Sequence, residues 1–200
     1  MGIRTIGIAV ALAGAVGVAG CAVAVPGSPA ADPAALPRPA PAPRPPGPAF
    51  HDALDRFDLV PPPGWTVDTS GRQGTAVVFA DPSATGAPQA RFRANINVIV
   101  VPARTDLPGI VTGARREVRE LAGYVPTADE PVTLPDGSAA HLLGGTYRDP
   151  GSGLVLRNLQ LVAVHGGVET VVVTGTALAD TWDGYGPVFD TSLRSLTVTT

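Results

Sequence analysis

Lysine is absent from this 200-residue chain, and all 14 of its basic residues are arginine. That excludes Schiff-base chemistry and any lysine general base. Cysteine is nearly absent as well. The single thiol, Cys21, cannot form an internal disulfide, so the fold must rest on its core alone. A net charge of −3 and a pI near 5.5 leave no basic face for nucleic acid, and no nucleic-acid partner is expected. The three histidines, His51, His141 and His165, have no second ligand at zinc spacing, so neither a metal nor another cofactor is expected. No Gly-x-Ser-x-Gly elbow accompanies the "HGG" at 165–167, which therefore reads as a turn rather than an oxyanion loop. The "DPGSG" at 149–153 lacks the Gly-Lys-Ser/Thr of a phosphate loop. Asp180 and Asp183 lie one helical turn apart, but the glycines beside them suit capping better than acid–base work. No catalytic residue is assigned, and a non-enzymatic role is expected; the alternative is a hydrolase of lipids or esters whose site is assembled from distant residues.

What is present begins at the N-terminus. Met1 to Arg4 gives a short positive start, and Ile6 to Val16 is an unbroken run of apolar and small residues. These are the n- and h-regions of an export signal, residues 1–20. Val18, Ala19, Gly20 and Cys21 follow and resemble the bacterial lipobox, an aliphatic residue and two small residues before a cysteine. Small side chains at Ala19 and Gly20 let the backbone lie close to a membrane-embedded signal peptidase. The Cys21 sulfur, nucleophilic once deprotonated, suits transfer of a diacylglyceryl group. Three competing readings are an ordinary cleavage near Ala22-Val23-Ala24, an uncleaved anchor over 5–25, which has the ~20 residues of a spanning helix, and a cysteine placed there by coincidence. The lipobox reading places the protein at the extracytoplasmic face of the cell membrane. Its membrane partner is then engaged through acylated Cys21, because two acyl chains make a durable anchor where one binds reversibly.

Residues 21–49 comprise the lipidated cysteine and a tether. Ala22 to Ala49 holds ten prolines and only Asp32, Arg38 and Arg44 as charges. Proline lacks the amide donor and fixes φ, so this stretch is expected as polyproline II or disordered chain, a spacer that lifts the domain off the bilayer.

Residues 50–200 have the composition of one ordinary domain. "FDLVPPPGW" (57–65) reads as a short strand closed by a proline turn, with Trp65 packing inward. "TAVVFADP" (75–82) is a strand. In "ARFRANINVIVVPA" (90–103) Phe92, Ala94, Ile96, Val98 and Val100 share one face, and Arg91, Arg93, Asn95 and Asn97 the other. That second row is a set of donors able to meet an anion or a sugar, or simply an outward strand face. From Leu107 to Gly123 the period changes: Val111, Ala114, Val118 and Leu121 form a helical stripe, with Thr105 or Asp106 to cap it and Pro108 in its first turn. Strands return at 131–134, 139–149, 154–164 and 168–178, joined by Pro-Asp-Gly, Asp-Pro-Gly and Gly-Gly turns. A last helix is expected from about Pro187, because Gly184, Gly186 and the proline itself break the aromatic pattern before it. Strands, helix, hairpin-linked strands and helix give an α+β fold with an antiparallel sheet flanked by helices.

The opening "F.L..PPGW", the helix after a long strand, the paired hairpin strands and the closing "FDTSLRSLTV" resemble the LpqN-type lipoproteins of mycobacteria and related actinobacteria. The resemblance runs from about Phe50 to Val198. It implies a PsbP-like α/β/α sandwich and a non-enzymatic envelope role connected with lipid or glycolipid metabolism or transport. The partners it implies are an envelope lipid or glycolipid, or a membrane protein. It supplies no catalytic or metal residue that can be matched here.

Overall fold

The computed structural model describes residues 47–86 and 91–198. The export signal, the lipobox Val18-Ala19-Gly20-Cys21 and the tether up to Pro46 lie outside the described residues.

The described residues build ten strands and two α-helices. In order these are β1 (Phe50–His51), β2 (Phe57–Leu59), β3 (Thr66–Asp68), β4 (Val77–Ala80), β5 (Asn95–Pro102), α1 (Leu107–Arg119), β6 (Val125–Thr133), β7 (Ala139–Arg148), β8 (Val155–His165), β9 (Glu169–Leu178), α2 (Trp182–Leu193) and β10 (Thr197–Val198). Seven strands form one antiparallel sheet in the order β3-β4-β5-β9-β8-β7-β6, and β1-β2-β10 form a small second sheet. Helix α2 packs on β8 and β9, and α1 packs on β7 and β8. Side-chain alternation separates the two faces. One face carries Ile96, Val98, Leu142, Leu159, Leu161, Val171 and Val173, which join Phe189 and Leu193 of α2 and Phe57 and Leu59 of β2 in the main core. The other carries Tyr147, Leu156 and Leu178, packed with Leu121 and Tyr124 from the segment after α1. The result is an α+β sandwich with a helix on each side of the large sheet.

Local chemistry explains most of the elements. Asp106 caps α1, its Oδ1 accepting the Gly109 N–H at 3.1 Å, and Pro108 lies in the first turn. Val111 and Ala114 are the buried stripe. The β8–β9 hairpin turns on Gly166 and Gly167, both at positive φ (56° and 71°), the conformation required at the centre of the turn closed by the Val168 N–H to the His165 carbonyl.

Three expectations need correcting. First, β6 begins at Val125 rather than Pro131. It is an edge strand, mostly exposed, carrying Pro126, Asp129, Glu130 and Pro131. Residues of that kind protect an edge and erase the hydrophobic alternation that would have revealed it. Second, α2 starts at Trp182, with Pro187 inside it. Aromatic packing carries the helix through its glycines. The Trp182 indole folds back over Gly186, where an added Cβ would lie 2.6 Å from Nε1, and Trp182, Tyr185 and Phe189 pack together with centroids 5.5 and 5.9 Å apart. Third, Phe92 does not share a face with Ala94. It pairs with Thr85 in an isolated bridge before β5 begins, the alternation slips by one residue, and its ring joins the Tyr147 cluster on the opposite face. Trp65 is half-buried at the rim of the core, against Tyr185 and Phe189.

Candidate functional site

The α1 side of the sheet carries two cross-strand rows of polar residues at its centre. Pairing places Asn95, Thr176, Asn158 and Gly145 in one row and Asn97, Thr174, Gln160 and Leu143 in the next. From β5 to β8 the six polar residues span about 10 Å across the strands and about 7 Å along them. The next row outward is apolar: Leu178, Leu156 and Tyr147, ringed by Phe92, Leu121, Tyr124 and Leu154. A neutral hydrogen-bonding patch therefore abuts an aromatic and aliphatic one.

The amides are concentrated here. The chain has three asparagines and three glutamines, and all three asparagines together with Gln160 lie in these two rows. Two of the four have structural work. Asn158 Oδ1 accepts the Gly145 N–H at 3.1 Å, opposite the bulge in β6, and Asn95 Nδ2 donates to the Arg93 carbonyl at 3.0 Å. The other two do not. Gln160 Oε1 is buried with no hydrogen-bond partner among the described residues. Asn97 is only 7 % exposed, and its side chain has no partner among the described residues. A buried amide oxygen left unpaired costs about 1–3 kcal/mol, so a fold that keeps one commonly has another use for it.

Tyr124 closes one end of the rows. Its ring lies over Gly145, where an added Cβ would sit 2.1 Å from Cε2, and its hydroxyl donates to the Gly144 carbonyl at 3.0 Å. Only glycine at 145 admits the ring. Burial raises the Tyr124 pKa and lifts that of Tyr147 to about 12, so both hydroxyls stay protonated at neutral pH. At the same β7 end, beside the second row, Arg115 of α1 grips Asp129 of β6 through two bonds of 2.8 and 2.7 Å, and His141 Nε2 lies 2.6 Å from the same carboxylate. This clasp ties α1 to the β6–β7 edge and holds the Asp129 carboxyl down at about 2, Arg115 being the larger cause.

Of the row read from sequence, Asn95 and Asn97 stand in the patch, whereas Arg91 and Arg93 do not join them. Both arginines are exposed and precede β5, and Arg93 Nη2 donates to the Pro82 carbonyl at 3.1 Å. The one-residue slip between Phe92 and Asn95 breaks the row. Thr174, Thr176, Asn158 and Gln160 were not singled out from sequence. The available signal was scarcity: a chain with six side-chain amides puts two on β5 and two on β8 at alternate positions. His51 pairs with Asp58 at 2.7 Å on the surface of the small sheet, whereas the patch is in the large one. A shallow depression lined by Arg56, Gly71, Gly74, Thr75, Ala76 and Val100 offers little, since its one charged group, Arg56, is already bound to Asp52 at 2.6 Å. Among the described residues no group of three His, Cys, Asp or Glu side chains is placed to hold a metal.

Comparison with solved structures places this architecture. LpqN of Mycobacterium tuberculosis, described as involved in cell envelope biogenesis, superposes with a TM-score of 0.61 at 19 % identity, over 76 % of this chain and 90 % of that one. The PsbP protein of a Synechocystis cyanobacterium gives 0.52 at 19 % identity, over 76 % and 91 %. The fold is PsbP-like. A Pseudomonas aeruginosa protein of unknown function gives a TM-score of 0.50 at 18 % identity, over 76 % of this chain and 96 % of that one. No protein-family model and no curated protein matches the sequence. At these identities the likeness is one of fold, and the PsbP-like proteins share the α+β sandwich described above.

Proposed function

We propose that this is a lipid-anchored cell-envelope protein whose PsbP-like domain binds, without catalysis, the polar part of an envelope glycolipid on the amide rows beneath α1. The observation that carries the reading is the gathering of Asn95, Asn97, Asn158 and Gln160, with Thr174 and Thr176, into an uncharged grid that leaves the Asn97 side chain and Gln160 Oε1 without partners among the described residues. Amides both donate and accept, which matches vicinal sugar hydroxyls. The rows contain no formal charge to attract a phosphate. The adjoining Tyr147–Leu156–Leu178 cluster suits the apolar part of the same ligand. Anchoring rests on the Val18-Ala19-Gly20-Cys21 motif after an export signal. A role in envelope biogenesis is in keeping with the LpqN description.

Native mass spectrometry of the full chain extracted from its own membranes tests the binding reading. A glycolipid adduct on the wild type that is lost from Asn97→Leu/Gln160→Leu supports it. An adduct retained by that variant, or a bare wild-type chain, contradicts it. Cys21→Ala is expected to abolish acyl labelling and detergent-phase partitioning, and persistence of both would remove the anchor from the account.

A further inference from the structure

On the opposite face of the sheet, an arginine lies against the first turn of α2 without a counter-charge. Arg157 of β8 is half-buried, with Cζ 4.7 Å from the centroid of the Trp182 ring. Stacking uses one face of the guanidinium. Its Nε is buried with no acceptor, and among the described residues no carboxylate pairs with it. Arg56, Arg115 and Arg194, by contrast, are each held by a carboxylate. Asp180 and Asp183 flank Trp182 in sequence but are exposed and form no ion pair with Arg157.

The ladder shows what surrounds it. Thr146 is the cross-strand partner of Arg157, and Val125 is the partner of Thr146. Val155 precedes Arg157 by two residues and is paired with Arg148. Alternation puts all five side chains on the same side of the sheet, with Arg148 and Arg157 diagonal neighbours about 7–8 Å apart. Arg148 Nη1 donates to the Gly153 carbonyl at 2.7 Å, and among the described residues no carboxylate pairs with it. Val125 and Val155 are 59 % and 42 % exposed, two of the few large apolar side chains left open.

Two unbalanced cations, a free hydroxyl and two exposed valines make one corner. We propose that it binds an anionic amphiphile, the oxyanion bridging Arg157 and Arg148 beside Thr146 and the chain lying along Val125 and Val155. A planar guanidinium already oriented by its stack loses little freedom on binding, and its fork fits a carboxylate or a phosphate in bidentate fashion. Fatty acids and anionic phospholipids share this chemistry. The site does not depend on the amide rows, which lie on the other face.

The test titrates the full chain, held in neutral maltoside micelles, with hexyl phosphate, hexanoate, inorganic phosphate and hexyl glucoside. Binding is followed by the Arg157 Nε–Hε resonance and by tryptophan emission. At least one of the two amphiphilic anions is expected to bind about tenfold or more tightly than inorganic phosphate, the tighter one naming the head group, while hexyl glucoside leaves the Arg157 signal in place. Arg157→Gln should weaken binding by about ten- to a hundredfold, with Arg157→Lys between it and the wild type. Arg148→Gln, at an exposed position where it removes a bond to the Gly153 carbonyl, should weaken it by about three- to tenfold, with a circular-dichroism melt confirming that the fold is kept. Equal affinity for inorganic phosphate and both amphiphiles, no saturable binding, or affinities unmoved by Arg148→Gln and Arg157→Gln would overturn the proposal. None of those results bears on the glycolipid reading.

Discussion

Gly175 should not tolerate even one added carbon. It sits in β9 on the core face, and a Cβ built there would lie 2.6 Å from both Cγ and Cδ1 of Phe189 and 3.1 Å from its Cβ. Ordinary carbon contacts are about 3.5–4.0 Å, so the ring would have to retreat by roughly 1 Å. Phe189 has nowhere to go. It is fully buried, packed on Trp182 and Tyr185, with Trp65 across its edge at 6.0 Å. Overpacking of this kind costs about 1–3 kcal/mol, and in a domain of this size each kcal/mol moves Tm by about 2–4 °C. Gly175→Ala is therefore expected to lower Tm by several degrees in a circular-dichroism melt of the full chain. Gly113→Ala in α1 is the control. No atom lies within 4 Å of its built Cβ, and alanine in a helix interior should stabilise by about 0.5–1 kcal/mol. Pairing Gly175→Ala with Phe189→Leu should recover part of the clash, so the two effects should not add. A Gly175→Ala protein as stable as wild type would refute the packing that positions α2.

Further expectations concern charges and hydroxyls. Asp129 has its carboxyl lowered from 3.8 to about 2 by Arg115 and His141, so the clasp stabilises above about pH 4 and is lost as pH falls towards 2. The group is largely exposed, so the effect should be small. Asp129→Asn should flatten that part of an acid-unfolding curve, and an unchanged curve would show that the clasp carries no linkage. The Tyr185 hydroxyl donates to Asp81 Oδ2 at 2.7 Å, and burial with that carboxylate holds its pKa above the ordinary phenol range. Tyr185→Phe should cost about 1–2 kcal/mol in denaturant unfolding, and a neutral result would show the bond to be solvent-compensated.

Much of the fold was legible because periodicity and turn chemistry agree. The β7–β8–β9 hairpins follow from glycine and proline turns between apolar runs, and α1 from a capped stripe ending near Gly123, at φ 65°. What escaped depends on distant partners. The strand pair β2–β10 joins Phe57 to Val198, and the Ser192 and Ser195 hydroxyls lock Val60, none of which has a local signal. The start of α2 was hidden because Gly186 reads as a breaker until Trp182 is seen filling the space above it. The candidate site was half legible. Asn95 and Asn97 stood out by alternation, but Thr174, Thr176, Asn158 and Gln160 join them only through strand register.

The polar rows can be interrogated through their own amides. The chain has only six side-chain NH₂ groups, so their resonances are few enough to assign individually. Titrating the ¹⁵N-labelled full chain with a short-chain glycolipid should move the signals of Asn97 and Gln160 most, those of Asn95 and Asn158 less, and that of Gln73 not at all. Saturable shifts in that pattern are what the account requires. Shifts spread evenly over all six groups, or none at Asn97 and Gln160, would contradict it.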